Sequence, residues 1–169
     1  MKAKIAVSPQ ETAVAPGLTV RENLELICGA HGLSKKQRSE RVESTTNLLG
    51  LGGILNKKAG KLSGGWQRRL SIAMALISEP EILFLDEPTL GLDVIARSEL
   101  WDIIRSFKNK ITVVLTTHYM EEAEALSDRI AIMKEGKLLV CDTADKIKEI
   151  AGTDNFEQAF ISIVKGGAK

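Results

Sequence analysis

The sequence predicts an α/β protein, a parallel β-sheet with a block of helices attached to it. Three observations predict this. Two apolar runs, EILFLDEP, closed by two carboxylates and a proline, and ITVVLTTH, flank a single helical pattern, which is the strand–helix–strand order of a parallel sheet. A short β-branched run, KIAVS at 4–8, comes before them and stops at Pro9. Between that run and Pro80 the chain carries helix caps and helical periodicity.

The elements follow in order. After the loop ETAVAPGLT, Thr19 caps a helix over VRENLELICGAHG, with Glu22 three residues on completing a capping box. A second helix runs from Ser34 through about Leu51 and ends at Gly52-Gly53. Ser63 opens a third helix through about Ser78. ILFLDEP then reads as a strand buried on both faces, Asp93 caps a helix through about Lys108, and ITVVLTTH reads as a second strand of the same kind. YMEEAEALS is a short acidic helix. RIAIMK and KLLVCD form a hairpin about Glu135-Gly136, and TADKIKEIA and NFEQAFISIVK are helical patches.

At 169 residues the chain is one domain's worth, enough to bury a core. Hydrophobic residues make up 44% and charged residues 27%, a globular composition. With 23 basic and 22 acidic residues the net charge is +1, so no overall field draws the chain to nucleic acid or to lipid. Cys28 and Cys141 show no metal-ligand spacing and read as reduced thiols of a cytoplasmic protein. No apolar run approaches the about 18 residues needed to cross a bilayer, so a role at a membrane would pass through a partner.

Four places carry chemistry. Asp86 and Glu87 end an apolar strand, and ligands of open α/β sheets sit beyond such ends. Adjacent strand residues alternate faces, so Asp86 can reach a Mg²⁺ ion while Glu87 activates water. A solvated strand end is the ordinary alternative. His118 ends the next strand and reaches the same carboxylates if the two strands are neighbours; alone, it reads as structural. Gln10 follows the first strand, where a neutral amide can bind a metal ion or water, or serve only as a polar loop residue. Ser63-Gly64-Gly65 starts a helix whose N–H groups suit an anion, although an ordinary serine cap has the same sequence. Arg68 and Arg69 add charge there or form a solvated face.

Together, PQ, LSGGWQRR, ILFLDEPTLGLD and TTH resemble, in that order and spacing, the ATP-binding cassette (ABC) ATPases. Gln10 matches the Q-loop glutamine, 62–65 the LSGG signature, 82–87 the Walker B strand, Asp93 the D-loop aspartate and His118 the switch histidine. LTVRENL and THYMEEAEALSDRIAIMKEGKLL look like the exporter and drug-resistance subfamily. The resemblance implies an α/β fold with the RecA-like core of a P-loop NTPase. The whole of 1–169 is then a single partial domain, with 11–79 as the helical subdomain and 1–10 with 80–169 as the core. It implies ATP and Mg²⁺ as cofactors, Glu87, His118 and Gln10 as catalytic residues and Asp86 with Gln10 at the metal. Ser63, Gly64, Gly65 and Asp93 would contact nucleotide, the serine turn addressing ATP held by a second ABC domain paired head to tail. A transmembrane permease subunit would dock on the loop after Gln10 at the cytoplasmic face of the membrane, nucleic acid would not be a partner, and hydrolysis would drive transport, in this subfamily export. A soluble family member acting on ribosomes or DNA, or a non-catalytic remnant lending its signature in trans, are the alternatives.

Two departures stand out. Trp66 replaces the glutamine or glutamate usual after Ser-Gly-Gly. No phosphate loop Gly-x-x-x-x-Gly-Lys-[Ser/Thr] occurs in the sequence, since Gly60-Lys61 is followed by Leu62. The expectation is therefore a domain truncated at its N-terminus that lacks the Walker A segment and holds MgATP weakly by itself. It would also have an open hydrophobic sheet edge beside the Walker B strand.

Overall fold

The computed structural model describes residues 4–166, which form two compact units, one reaching to Thr116 and the other beginning at Thr117. In the first unit, β1 (Ile5–Ser8), β2 (Ile82–Asp86) and β3 (Thr112–Thr116) form a parallel sheet in the order β1-β2-β3. Helices α1 (Val20–Ala30), α2 (Lys35–Leu48) and α3 (Gly64–Leu76) pack on one another, and α3 also lies against β1 and β2. Helix α4 (Val94–Arg105) connects β2 to β3, the crossover that a parallel pair requires.

Local chemistry sets most boundaries. Thr19 and Glu22 form the expected capping box: the Glu22 N–H donates to the Thr19 hydroxyl at 3.2 Å, and the Thr19 N–H donates to the Glu22 carboxylate at 2.7 Å. The Thr19 N–H and then the Thr19 hydroxyl, which donates to the same carboxylate at 2.9 Å, favour its ionised form and lower the Glu22 pKa. Ser34 and Gln37 form a second box at α2. The end of α2 corrects the sequence expectation. The helix stops at Leu48, and Gly50, with φ +67°, is the left-handed residue. The Leu51 N–H then bonds back to Thr46 O at 2.9 Å, and the fully buried Leu51 side chain seals the turn. Gly52 and Gly53 start a short 3-10 turn instead.

Two further expectations fail. The strands are not buried on both faces. Register places Ala6, Ser8, Leu83, Leu85, Val113 and Leu115 on one face, where Leu83 and Leu85 are buried. The opposite face exposes Ile5 at 55%, Val7 at 58%, Phe84 at 38% and Val114 at 41%. The runs are apolar throughout, but the chain covers only one side of them. Nor is the position beside β2 open, for β2 pairs on both sides and the outer strands are β1 and β3.

The second unit holds α5 (Met120–Leu126), the hairpin β4 (Ile130–Lys134) and β5 (Lys137–Asp142), α6 (Ala144–Ala151) and α7 (Phe156–Val164). The hairpin turn has positive φ at both Glu135 (49°) and Gly136 (74°), matching the twist of the flanking strands. Ile130 and Ile132 meet Ile147, Phe156, Ala159 and Ile163 in this unit's own core. Cys28 and Cys141 are free thiols. Among the described residues, no helix is long and apolar enough to cross a membrane.

Candidate functional site

The parallel register aligns the carboxyl ends of the three strands, with Ser8 beside Leu85 and Asp86 beside Thr116. Asp86 is exposed on the same sheet face as Phe84 and Val114. The Thr116 hydroxyl donates to the Asp86 carboxylate and accepts the Glu87 N–H at 3.3 Å. The Glu87 N–H also bonds Thr116 O at 3.1 Å. Glu87 ends the strand with φ 43°, in the left-handed region rarely used by non-glycine residues, so a backbone turn as well as the pleat separates the two carboxylates. Thr116 therefore fixes both residues, a role the sequence reading did not give it.

Gln10 stands two residues beyond β1 and is exposed. The structure brings its backbone to the carboxylate pair through Arg68, a residue of α3 that is only 5% exposed. The Arg68 guanidinium donates to Gln10 O at 3.1 Å, Glu87 O at 2.7 Å and Pro88 O at 2.9 Å, and also to Pro9 O and Asp86 O. Three residues further along α3, the Ser71 hydroxyl lies 3.0 Å from that of Ser8, and both are buried. The solvated-face reading of Arg68 is corrected. Its position three and four residues before buried Ser71 and Ile72 puts it on the buried helical stripe, and that spacing was the signal available.

Ser63 is the N-cap of α3, but its side chain makes no capping hydrogen bond. The cap residues of α1, α2, α4, α6 and α7 all do. Ser63 and Gly64 are exposed, and a Cβ on Gly64 would meet nothing within 4 Å. A Cβ on Gly65 would come to 3.1 Å from the Ala96 Cβ, so the starts of α3 and α4 touch. At the α4 start the Asp93 carboxylate accepts the Ala96 N–H at 2.9 Å. Trp66 does not disturb the turn. Arg69 lies over its ring at 4.7 Å and pairs with Glu99 of α4.

His118 lies in the second unit, two residues past β3, exposed and 4.3 Å from the Tyr119 ring centroid. Among the described residues no cluster of three His, Cys, Asp or Glu side chains is arranged for a metal ion. The Asp86 carboxylate, with the Thr116 hydroxyl bonded to it, offers oxygen donors of the kind that suit a Mg²⁺ ion taking its remaining ligands from phosphate and water.

A parallel sheet whose central strand ends in a carboxylate pair, packed against a helix opened by Ser-Gly-Gly, is an α/β architecture of the P-loop NTPase fold. A solved structure described as the ATP binding subunit of an ABC transporter superposes with a TM-score of 0.79 and 26% identity, over 95% of this chain and 68% of that one. The family model described as ABC transporter matches residues 1–90, and the chain belongs to the ABC transporter family. Human phospholipid-transporting ATPase ABCA3 is 40% identical over 152 residues, 90% of this chain but 9% of that protein. The daunorubicin resistance ATP-binding protein DrrA3 of Streptomyces coeruleorubidus is 39% identical over 158 residues, 93% of this chain. The chain spans half the length of DrrA3, at 50%.

Proposed function

We propose that this chain supplies ATP-handling surfaces to a membrane transporter, with export as the direction. The observation that carries the reading is the assembly of Gln10, Asp86 and Glu87 at one end of the sheet, on a unit whose signature turn is left uncapped and exposed. Asp86, oriented by Thr116, and Gln10 would hold Mg²⁺, which would polarise phosphate, and Glu87 would accept the proton of the attacking water. His118 acts as the switch histidine of the same hydrolysis, the role its motif match implies. Ser63, Gly64 and Gly65 address the γ-phosphate of ATP bound to a second ABC domain, with Asp93 at the same contact. Residues 11–79 act as the helical subdomain, and the loop after Gln10 meets a permease subunit at the cytoplasmic membrane face.

A polypeptide of these 169 residues contains no phosphate loop, and that loop's lysine and N–H groups provide much of the binding to β- and γ-phosphates. Titration calorimetry with MgATP is expected to show no micromolar binding. The signature face is tested by adding the chain to an intact ABC ATPase whose own signature serine has been disabled. ATP hydrolysis is expected to rise with the unaltered chain and with Glu87→Gln, and not with Ser63→Arg. No rise with the unaltered chain, or an equal rise with Ser63→Arg, refutes the reading.

A further inference from the structure

We propose that Arg68 is a positioning residue that sets the backbone of Gln10 and Glu87 at once, so that helix α3 aims the hydrolytic residues of this chain as well as opening with the signature turn. The inference rests on the reading of Gln10 and Glu87 given above. Arg68 begins the second turn of the helix opened by Ser63 and is buried. Its donors reach carbonyl oxygens on both sides of the gap between the β1 and β2 exits: Pro9 and Gln10 on one, Asp86, Glu87 and Pro88 on the other. None of the five is a side-chain oxygen. What the guanidinium fixes is therefore main-chain direction at Gln10 and Glu87.

The chemistry requires arginine. Its fork presents five N–H donors in one rigid plane, enough to serve carbonyls of two different segments together. A lysine ammonium has three donors about one point and cannot span both exits. The paired register ends at Ser8 and Asp86, and the Glu87 N–H bond to Thr116 O ties only the β2 exit to β3, so the guanidinium supplies the link between the β1 and β2 exits. Glu87 also sits in a left-handed conformation that must be imposed by its surroundings. The buried Ser8–Ser71 hydroxyl contact, from a residue three positions further along α3, ties that helix to β1.

The test reads amide hydrogen exchange by mass spectrometry in the 169-residue chain with Arg68→Met and Arg68→Lys. Both variants are expected to speed exchange about tenfold or more in segments 9–14 and 86–92, while α1, α6 and α7 keep their protection. In Arg68→Ala, millimolar guanidinium, but not equimolar potassium chloride, is expected to slow exchange again in those two segments. Unchanged exchange in both segments, a uniform rise across the chain, or full protection in Arg68→Lys overturns the proposal. If no variant folds, the unaltered chain still answers by NMR. A slowly exchanging Arg68 Nε–H, bonded to Pro88 O, supports the brace; rapid exchange with solvent overturns it. A local exchange effect combined with failure of the signature experiment would sink the functional reading and leave the positioning role intact.

Discussion

The two faces of the three-stranded sheet are built from the same strands with much the same residue types, yet they meet opposite fates. Leu83 and Leu85 are buried on the face that α3 covers, while Ile5, Val7, Phe84 and Val114 stay exposed on the other. Apolar composition thus reports what a surface is suited to meet, not what the same chain supplies. The helix starts repeat the lesson. Thr19 spends its hydroxyl on α1, whereas the Ser63 side chain makes no such bond. Surfaces completed within the chain carry its stability, and surfaces left open carry its encounters.

The largest expected effect tests the covered face. Leu85→Ala should cost about 2–5 kcal/mol in chemical denaturation, because it leaves a cavity among packed neighbours. Val7→Thr on the open face should stay within about 0.5 kcal/mol and reduce concentration-dependent association in sedimentation. Equal losses at the two sites would break the comparison. A smaller effect separates the helix starts: Thr19→Ala should cost about 1 kcal/mol, and Ser63→Ala less than about 0.5 kcal/mol, in the same assay. The smallest concerns Glu22. Its pKa is lowered in the folded state, so its contribution is present above the unfolded value and fades as pH falls through the folded one. Acid titration followed by circular dichroism should therefore show early fraying of α1, and Glu22→Gln should flatten that dependence.

Much of this was legible in the residues. Thr19 with Glu22, Ser34, Asp93 and the Glu135-Gly136 turn each set a boundary through bonds between near neighbours, which sequence spacing exposes. The parallel pairing of β1, β2 and β3 followed from their apolar runs. What escaped was non-local. Nothing near Arg68 in sequence says that its guanidinium will find carbonyls 18 to 59 residues away, and Thr116 gains its role only because register sets it beside Asp86. The one-sided burial of the sheet was misjudged because an apolar run looks alike whether or not something lies on it. At α2 the chain turns at Gly50 and not at the expected Gly52-Gly53, because the buried Leu51 draws it inward just after Gly50.

The Ser8–Ser71 hydroxyl contact has a bearing on how such a sequence can drift. Replacing either serine alone by alanine strands a buried polar atom, at roughly 1–3 kcal/mol, whereas replacing both removes the need for a partner. Two positions 63 residues apart are therefore tied in their inheritance. A lineage can keep the pair or discard it, but every single-step route between those ends crosses a weakened ancestor.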